Sequence, residues 1–473
     1  MAPRRLDDGT RASTRESQRT LTLKKTEPQS IHQDASCKSA TTASARAGLI
    51  YWPDRILGPP PGLTEINVVC WGLFIACFLL PLFFSVKSHL KTGPIGDFVY
   101  FYGDGRLANE YAATRLYDYA LQLKVFDEID PTRGSLYGPS PYPPFVALFF
   151  GLFARLPARV AYMLWFVTSL AFYTIGVGVI VREIFPVNRL RRSLIFCFAL
   201  AFPPFLFNTL VSGQLSSVAV CSIGVGIVND RRARPFQSGL ALSLLAYKPT
   251  LLVVILPMLL LSRKFKLLSG LLTGASILCL FTTVVDGAQI WRSYLRFLRF
   301  FERVSNTSGI LKRWMFVDLY SFSYPFVHWL PKWTNVILRC VVISMALWLA
   351  ALWRKAANGS RPSQTLAWAN ALTWTLLLNA YVPIYDSILV VIAIVLTFGA
   401  LIELGLMIQT VWTILLWMVI FVVSWKTVAI AEKHGIQLLT ILLLFLGIWQ
   451  LLLLHYTTRL ALCTKNDGYP SNP

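Results

Sequence analysis

Long apolar stretches alternating with short polar ones set the pattern of this chain. Residues 66–86, 161–181, 267–285 and 436–454 are nearly free of charge. Each runs for roughly 17–22 residues, enough to cross a hydrocarbon core of about 30 Å. Similar stretches lie at 193–211, 333–353, 364–380, 387–404 and 406–425, with a shorter one at 215–228. Basic clusters punctuate them: Arg182, Arg189, Arg191 and Arg192; Arg231, Arg232 and Arg234; Arg263, Lys264 and Lys266; and Arg354, Lys355 and Arg361. Cytoplasmic loops collect Lys and Arg, so these clusters mark the inner face. The first helix then leads outward, and residues 87–157 and 286–332 form two outer segments. Residues 143–156, about 14 in number, are marginal for a span. The arginines after 158–181 fall inside only if 143–156 does not cross, which makes 143–156 a juxtamembrane helix on the outer face. Two short apolar pieces, 239–247 and 250–261, lie between inner clusters and meet at Lys248-Pro249, which must therefore approach the outer leaflet. The pattern predicts an all-α polytopic membrane protein with about 11–13 spans.

Composition agrees with this reading and removes rivals. Hydrophobic residues make up 55% of the chain and charged ones 14%, where a soluble chain carries roughly 25%. The net charge of +21 does not point to nucleic acid, because the basic residues sit in short loops between spans rather than in one stripe. The eight cysteines are scattered, and no CxxC or Cys/His spacing occurs. Neither a disulfide framework nor a zinc site is expected, and no metal or cofactor is called for. Residues 1–62 are rich in Ser, Thr, Arg and Lys and end in Pro59-Pro60-Pro61-Gly62. Such a stretch cannot bury enough apolar surface to fold alone, and no apolar region follows closely enough for a signal peptide. It reads as a disordered cytoplasmic tail, followed by a transmembrane domain over 63–456 and a second tail over 457–473.

Polar residues that could carry chemistry gather in the outer segments. The first begins Gly96-Asp97-Phe98-Val99-Tyr100-Phe101-Tyr102-Gly103-Asp104-Gly105-Arg106-Leu107. Asp97 follows a transmembrane helix at the membrane surface, beside aromatic rings on which a sugar can stack. Asp104, seven residues on, shares its helical face. The bland alternative for Asp97 is a helix N-cap. Tyr142-Pro143-Pro144 reads at least as a stiff helix start. Lys248 is an ionisable group within the membrane, a functional signal by default and otherwise a snorkelling side chain. Gly213-Gln214 makes a tight outer turn, Asp386 follows Tyr385 in a short outer loop, and Arg339 lies about two turns inside a span. In the second outer segment Arg292, Arg296, Arg299 and Arg303 share one helical face. This predicts an amphipathic helix lying on the membrane, either anchoring to anionic lipid or guiding a phosphate-bearing one.

Asp97-Phe98 with its following aromatics, Gly105-Arg106-Leu107, Tyr117-Asp118, Tyr142-Pro143-Pro144, Gly213-Gln214, Tyr247-Lys248-Pro249 and Tyr385-Asp386 occur in this order. The ordered set resembles glycosyltransferase family 87 across about residues 93–400. The resemblance implies a GT-C-like bundle and a polyprenyl-phosphate sugar donor, most often of mannose. It implies Asp97 as the catalytic acid/base residue and places Lys248 near the lipid phosphate. Asp104 is a second candidate base. Arg106 and Arg339 join Lys248 as candidate phosphate ligands, and Tyr100, Tyr142, Gln214 and Asp386 as candidate substrate contacts. The expected reaction is inverting transfer to a glycan or glycolipid acceptor at the outer, periplasm-facing side of a bacterial-type inner membrane. The competing class is a lipid-linked-sugar flippase, which broken helices at matching positions in two halves would favour.

Overall fold

The computed structural model describes residues 68, 72, 74–92, 96–132, 137–186, 189–307, 312–327, 331–379 and 381–466. The tail expected over 1–62 and the last residues of the tail expected over 457–473 lie outside the described residues. The described chain is helical, with one isolated antiparallel bridge between Phe316 and Pro383. It is an all-α polytopic membrane protein.

Among the described residues, six helices are long and apolar enough to cross a bilayer on their own: Ala158–Ile184, Phe265–Asp286, Val336–Ala356, Ile384–Glu403, Met407–Ser424 and Leu438–Arg459. Arg191–Leu200 and Pro204–Val211 are apolar enough only together and meet at 55°, the geometry of a broken span or a re-entrant loop. The break coincides with Pro203-Pro204, whose missing N–H groups interrupt the helical ladder, and a π-helical turn follows over Pro204–Val211. The expected total of about 11–13 also counted shorter pieces. Two of these, Ser216–Arg231 and Arg361–Leu377, are helices of 16 and 17 residues.

In chain order the helices are α1 (Leu80–Thr92), α2 (Phe98–Glu110), α3 (Tyr119–Ile129), α4 (Pro144–Phe153), α5 (Ala158–Ile184) and α6 (Arg189–Leu200). Next come α7 (Ser216–Arg231), α8 (Pro235–Leu242), α9 (Ile255–Leu261), α10 (Phe265–Asp286), α11 (Gln289–Thr307) and α12 (Leu319–Val327). The series ends with α13 (Pro331–Ala356), α14 (Arg361–Leu377), α15 (Leu389–Glu403), α16 (Met407–Ser424), α17 (Thr427–His434) and α18 (Leu438–Asn466).

Without a hydrophobic drive between helices in lipid, close approach depends on small residues. α5 and α7 meet at Gly176 and Gly224, where a Cβ on Gly176 would stand 2.5 Å from the Val220 carbonyl oxygen. α8 and α10 meet at Gly239 and Gly270 in the same manner. α15 is at the centre, with every residue from Leu389 to Leu401 buried. Around it the longer helices leave one apolar face exposed, such as Ile277, Leu280, Phe281 and Val284 on α10. That is the surface expected of spans that face lipid.

The segments between the long helices pack on the bundle. α4 has ten residues, about 15 Å of helix, too short to cross. It lies against α2, with Phe150 fully buried and stacked on Phe101. This length fits the expectation that 143–156 does not cross. α11 differs from expectation. Its arginines 292, 296, 299 and 303 are exposed, and part of its apolar side is covered by protein, while Leu295 and Phe300 stay exposed. Ile290, Tyr294 and Phe297 are buried, and the last two lie 5.3 and 5.2 Å from the Tyr117 ring. Part of the apolar stripe that suggested a membrane-lying helix is thus spent on the segment that carries α2 to α4, which α11 covers.

Candidate functional site

Two glycines begin the site. Gly96, at φ +61°, turns the chain into α2, and a Cβ there would stand 2.9 Å from the Ser212 carbonyl oxygen. Gly213, at φ +78°, turns the chain between the bent helix pair and α7, and its Cβ would stand 2.7 Å from that of Phe98. The two turns press together, and the Phe98 N–H donates to the Ser212 carbonyl at 3.1 Å. Trp165 and Tyr162 of α5 brace the second turn by donating to the carbonyls of Gly213 (2.8 Å) and Val211 (2.7 Å). Gly213→Ala adds both left-handed strain and a steric overlap. We expect it to cost about 2 kcal/mol or more by these terms. Thermal unfolding of the purified variant measures the loss.

This contact brings Asp97 to its partners. Asp97 sits at the N-cap position of α2, yet its carboxylate accepts no capping hydrogen bond from the first turn. It accepts instead from the Ser212 hydroxyl at 3.0 Å and from the Gln214 amide at 2.9 Å. Asp118 is the contrast: it caps α3 by accepting from the Leu121 N–H. The other end of the Gln214 amide lies 3.5 Å from the Tyr142 hydroxyl. Tyr142 is itself held by the Tyr117 hydroxyl, which donates to its carbonyl at 2.8 Å. Burial pushes the Tyr142 phenol well above its ordinary range, so it stays protonated as a neutral donor.

Lys248 lies across from this group. It interrupts two 3₁₀ turns, Ser243–Tyr247 and Pro249–Leu252, and its backbone at φ −139° belongs to neither. The side chain is buried and ion-paired to Asp386, its ammonium 5.0 Å from the Tyr385 ring and 5.4 Å from the Tyr381 ring. Asp386, also buried, takes a second hydrogen bond from Ser216 at 2.7 Å. Lys248 is thus a partnered buried charge rather than a snorkelling one. The Tyr381 ring is covered by Phe301 of α11 at 5.9 Å and by Phe316 at 5.0 Å. Asp318 anchors that cover by accepting from the N–H groups of Ser321 and Val382.

A hydrogen bond between the Tyr142 and Tyr385 side chains joins the two groups, so Asp97, Tyr142, Gln214, Lys248 and Asp386 are assembled in one cluster, with Tyr100 on its edge. The Tyr100 hydroxyl accepts from the Gly138 N–H at 3.1 Å, and its ring packs on Phe126 and Tyr137. Three other candidates lie apart. Arg106 is committed to Glu110 at 2.8 Å and Glu128 at 3.4 Å. Arg339 is exposed on α13 among the exposed Val336, Ile337 and Ile343. Asp104 is buried two turns along α2 from Asp97, accepting from Ser140 through one oxygen. Its other oxygen, Oδ1, has no hydrogen-bond partner. The site also contains residues that sequence reasoning did not select: Ser212, Ser216 and Tyr381. Ser212 and Ser216 flank Gly213-Gln214, and the aromatic-proline run Tyr381-Val382-Pro383 precedes Asp386, so local signals for them existed.

Burial raises the Asp104 carboxyl to about 8, against the weaker opposing effect of its Ser140 hydrogen bond. Near neutral pH it is mostly a neutral acid, poorly suited to accept a proton. The folded state holds a proton that the unfolded chain releases near pH 4. Stability therefore falls as pH rises from about 4 to about 8 and levels off above that. We expect Asp104→Asn, neutral throughout, to flatten this decline while leaving turnover close to normal. Unfolding midpoints from about pH 5 to about pH 9, with rates alongside, give the check.

Residues 141–383 match the family model of glycosyltransferase family 87. That span is just over half of the chain and contains Tyr142, Gln214, Lys248 and Arg339; Asp97 and Asp386 lie on either side of it. No curated protein and no solved structure matches the chain. The helical membrane bundle and the ordered residues of the cluster agree with the family match, and the chain belongs to glycosyltransferase family 87.

Proposed function

We propose that this membrane glycosyltransferase moves a sugar, mannose first among candidates, from a polyprenyl-phosphate donor to a glycan or glycolipid acceptor at the outer face. The observation that carries the reading is the Asp97 carboxylate. It is diverted from capping α2 and held by Ser212 and Gln214 toward the cluster of Tyr142, Lys248 and Asp386. An acceptor hydroxyl gives its proton to Asp97 as its oxygen attacks the anomeric carbon. The bond from that carbon to the phosphate oxygen breaks, and the lipid phosphate leaves with the electron pair. Direct displacement inverts the anomeric carbon. Gln214 and Ser212 orient the base. Lys248 stabilises charge on the departing phosphate, sharing its ammonium between that group and Asp386. The rings of Tyr142, Tyr381 and Tyr385 offer stacking faces and hydroxyls for the sugar.

A lipid-linked-sugar flippase draws support from one feature: the 55° break after Leu200 is a second interrupted element beside the one at Lys248. Family membership weighs toward transfer. Purified protein incubated with radiolabelled polyprenyl-phosphate sugars and membrane extract should yield a labelled acceptor and free polyprenyl phosphate. Donor left intact under every sugar tried, together with its movement across proteoliposomes, would shift the reading to transport.

A further inference from the structure

The end of the bundle opposite the Asp97 cluster holds a second feature. α5 runs from Tyr162, hydrogen-bonded beside the site, to Arg182, twenty residues on. That is roughly 30 Å of helix, the thickness of a hydrocarbon core. Around Arg182 lies a cavity of about 600 Å³ between α5 and α6, lined by Thr174, Ile175, Gly178, Val179, Phe196 and the two arginines Arg182 and Arg192. Its walls are apolar and its rim basic. Ile175 is half exposed, so the cavity opens sideways toward the lipid-facing surface. Gly178 keeps it open: a Cβ there would meet only the Phe196 ring, at 3.8 Å.

The charges at this end are unevenly satisfied. Glu183 pairs with Arg231, Arg232 and Arg361, Glu403 with Arg231, and Asp230 with Lys264. Arg182 and Arg192 take part in no ion pair among the described residues. An occupant must therefore bring an anion to the rim and an apolar chain to the walls. A free anion would leave the apolar wall wet, and a neutral lipid would leave both guanidinium groups unpaired.

We propose that this groove binds one anionic glycerophospholipid from the leaflet opposite the transfer site, its phosphate on Arg182 and Arg192 and an acyl chain along Ile175, Gly178, Val179 and Phe196. Basic pockets between transmembrane helices bind anionic headgroups by the same combination of charge and burial. The binding is independent of the sugar-transfer chemistry, which lies a membrane thickness away.

The test uses the full-length chain in nanodiscs of phosphatidylcholine doped with phosphatidylglycerol, with retained lipids counted by native mass spectrometry. One phosphatidylglycerol should be kept per protein in preference to phosphatidylcholine, and the preference should fall as salt is raised. Arg182→Gln with Arg192→Gln should reduce the preference on the order of thirtyfold, the effect of two near-surface arginines. Gly178→Trp keeps both charges but fills the groove, and it should also lose the lipid. Equal retention of the two lipids by the unaltered protein overturns the proposal, and that measurement requires no variant to fold. Undiminished phosphatidylglycerol retention in either variant assigns it to charges elsewhere and overturns it. Displacement by an equimolar amount of polyprenyl phosphate, or by inorganic phosphate alone, does so as well.

Discussion

Asp97→Asn is expected to lower the rate of sugar transfer by about 10²–10⁴, the usual contribution of a positioned general base. The substitution is informative because it keeps most of what a structural role needs. Asn has nearly the same shape and caps helices about as well as Asp. Its side-chain oxygen can still accept from Ser212 or Gln214, which donate to Asp97 at 3.0 and 2.9 Å. What it loses is the ability to take a proton. A folded, correctly inserted Asp97→Asn protein with full turnover would remove Asp97 from the chemistry. Gln214→Ala is the natural companion. It frees the carboxylate without removing it, so a smaller rate loss with intact donor binding is the expected pattern. Single-turnover rates and donor affinities separate these effects.

Breaking the Lys248–Asp386 pair is expected to have the largest effect on stability. Both partners are buried, and each is the other's charge complement. Removing one leaves the other desolvated and unpaired, at a cost of about 3–5 kcal/mol. Lys248→Met and Asp386→Asn should each lower the unfolding midpoint. The double variant should recover much of the loss, because no buried charge remains. Activity should not recover with it. Lys248→Met in either background also removes the cation proposed to meet the leaving phosphate, so donor affinity and rate both fall. Stability that stays low in the double variant would show that the residues matter separately rather than as a pair. Normal donor affinity in it would take Lys248 away from the phosphate.

The spans were legible because their signal is local. A run such as 267–285 announces a membrane helix by its own composition, and the structure places α10 at Phe265–Asp286. The members of the site were legible for a related reason: Lys248 is conspicuous in an apolar hairpin, and Asp97 at a helix start. Their partners were harder to read. Asp97 meets Gln214 from 117 residues away, and Lys248 meets Asp386 from 138, and no pattern within one helix encodes such pairings. α11 shows the limit from another side. Periodicity tells that a helix has an apolar face but not what covers it, and here Tyr117 and its neighbours cover part of that face while Leu295 and Phe300 stay exposed. Arg106 shows a signal that could have been weighed differently. Glu110 stands four residues after it, the spacing of a helical ion pair, and the structure forms that pair. The exposed position of Arg339 depends on how α13 is turned against α9 and α18, a tertiary fact absent from its own sequence.

The separation of Lys248 from Asp386 also bears on the order of biogenesis. The hairpin over 235–261 leaves the ribosome well before α15 does. During that interval the lysine has no carboxylate to neutralise it, and burying it unpaired is costly. The hairpin can settle at its final depth only after the Asp386 segment has been made and has inserted. A chain truncated between these two points should therefore hold the lysine nearer water, exposed to quality-control proteases.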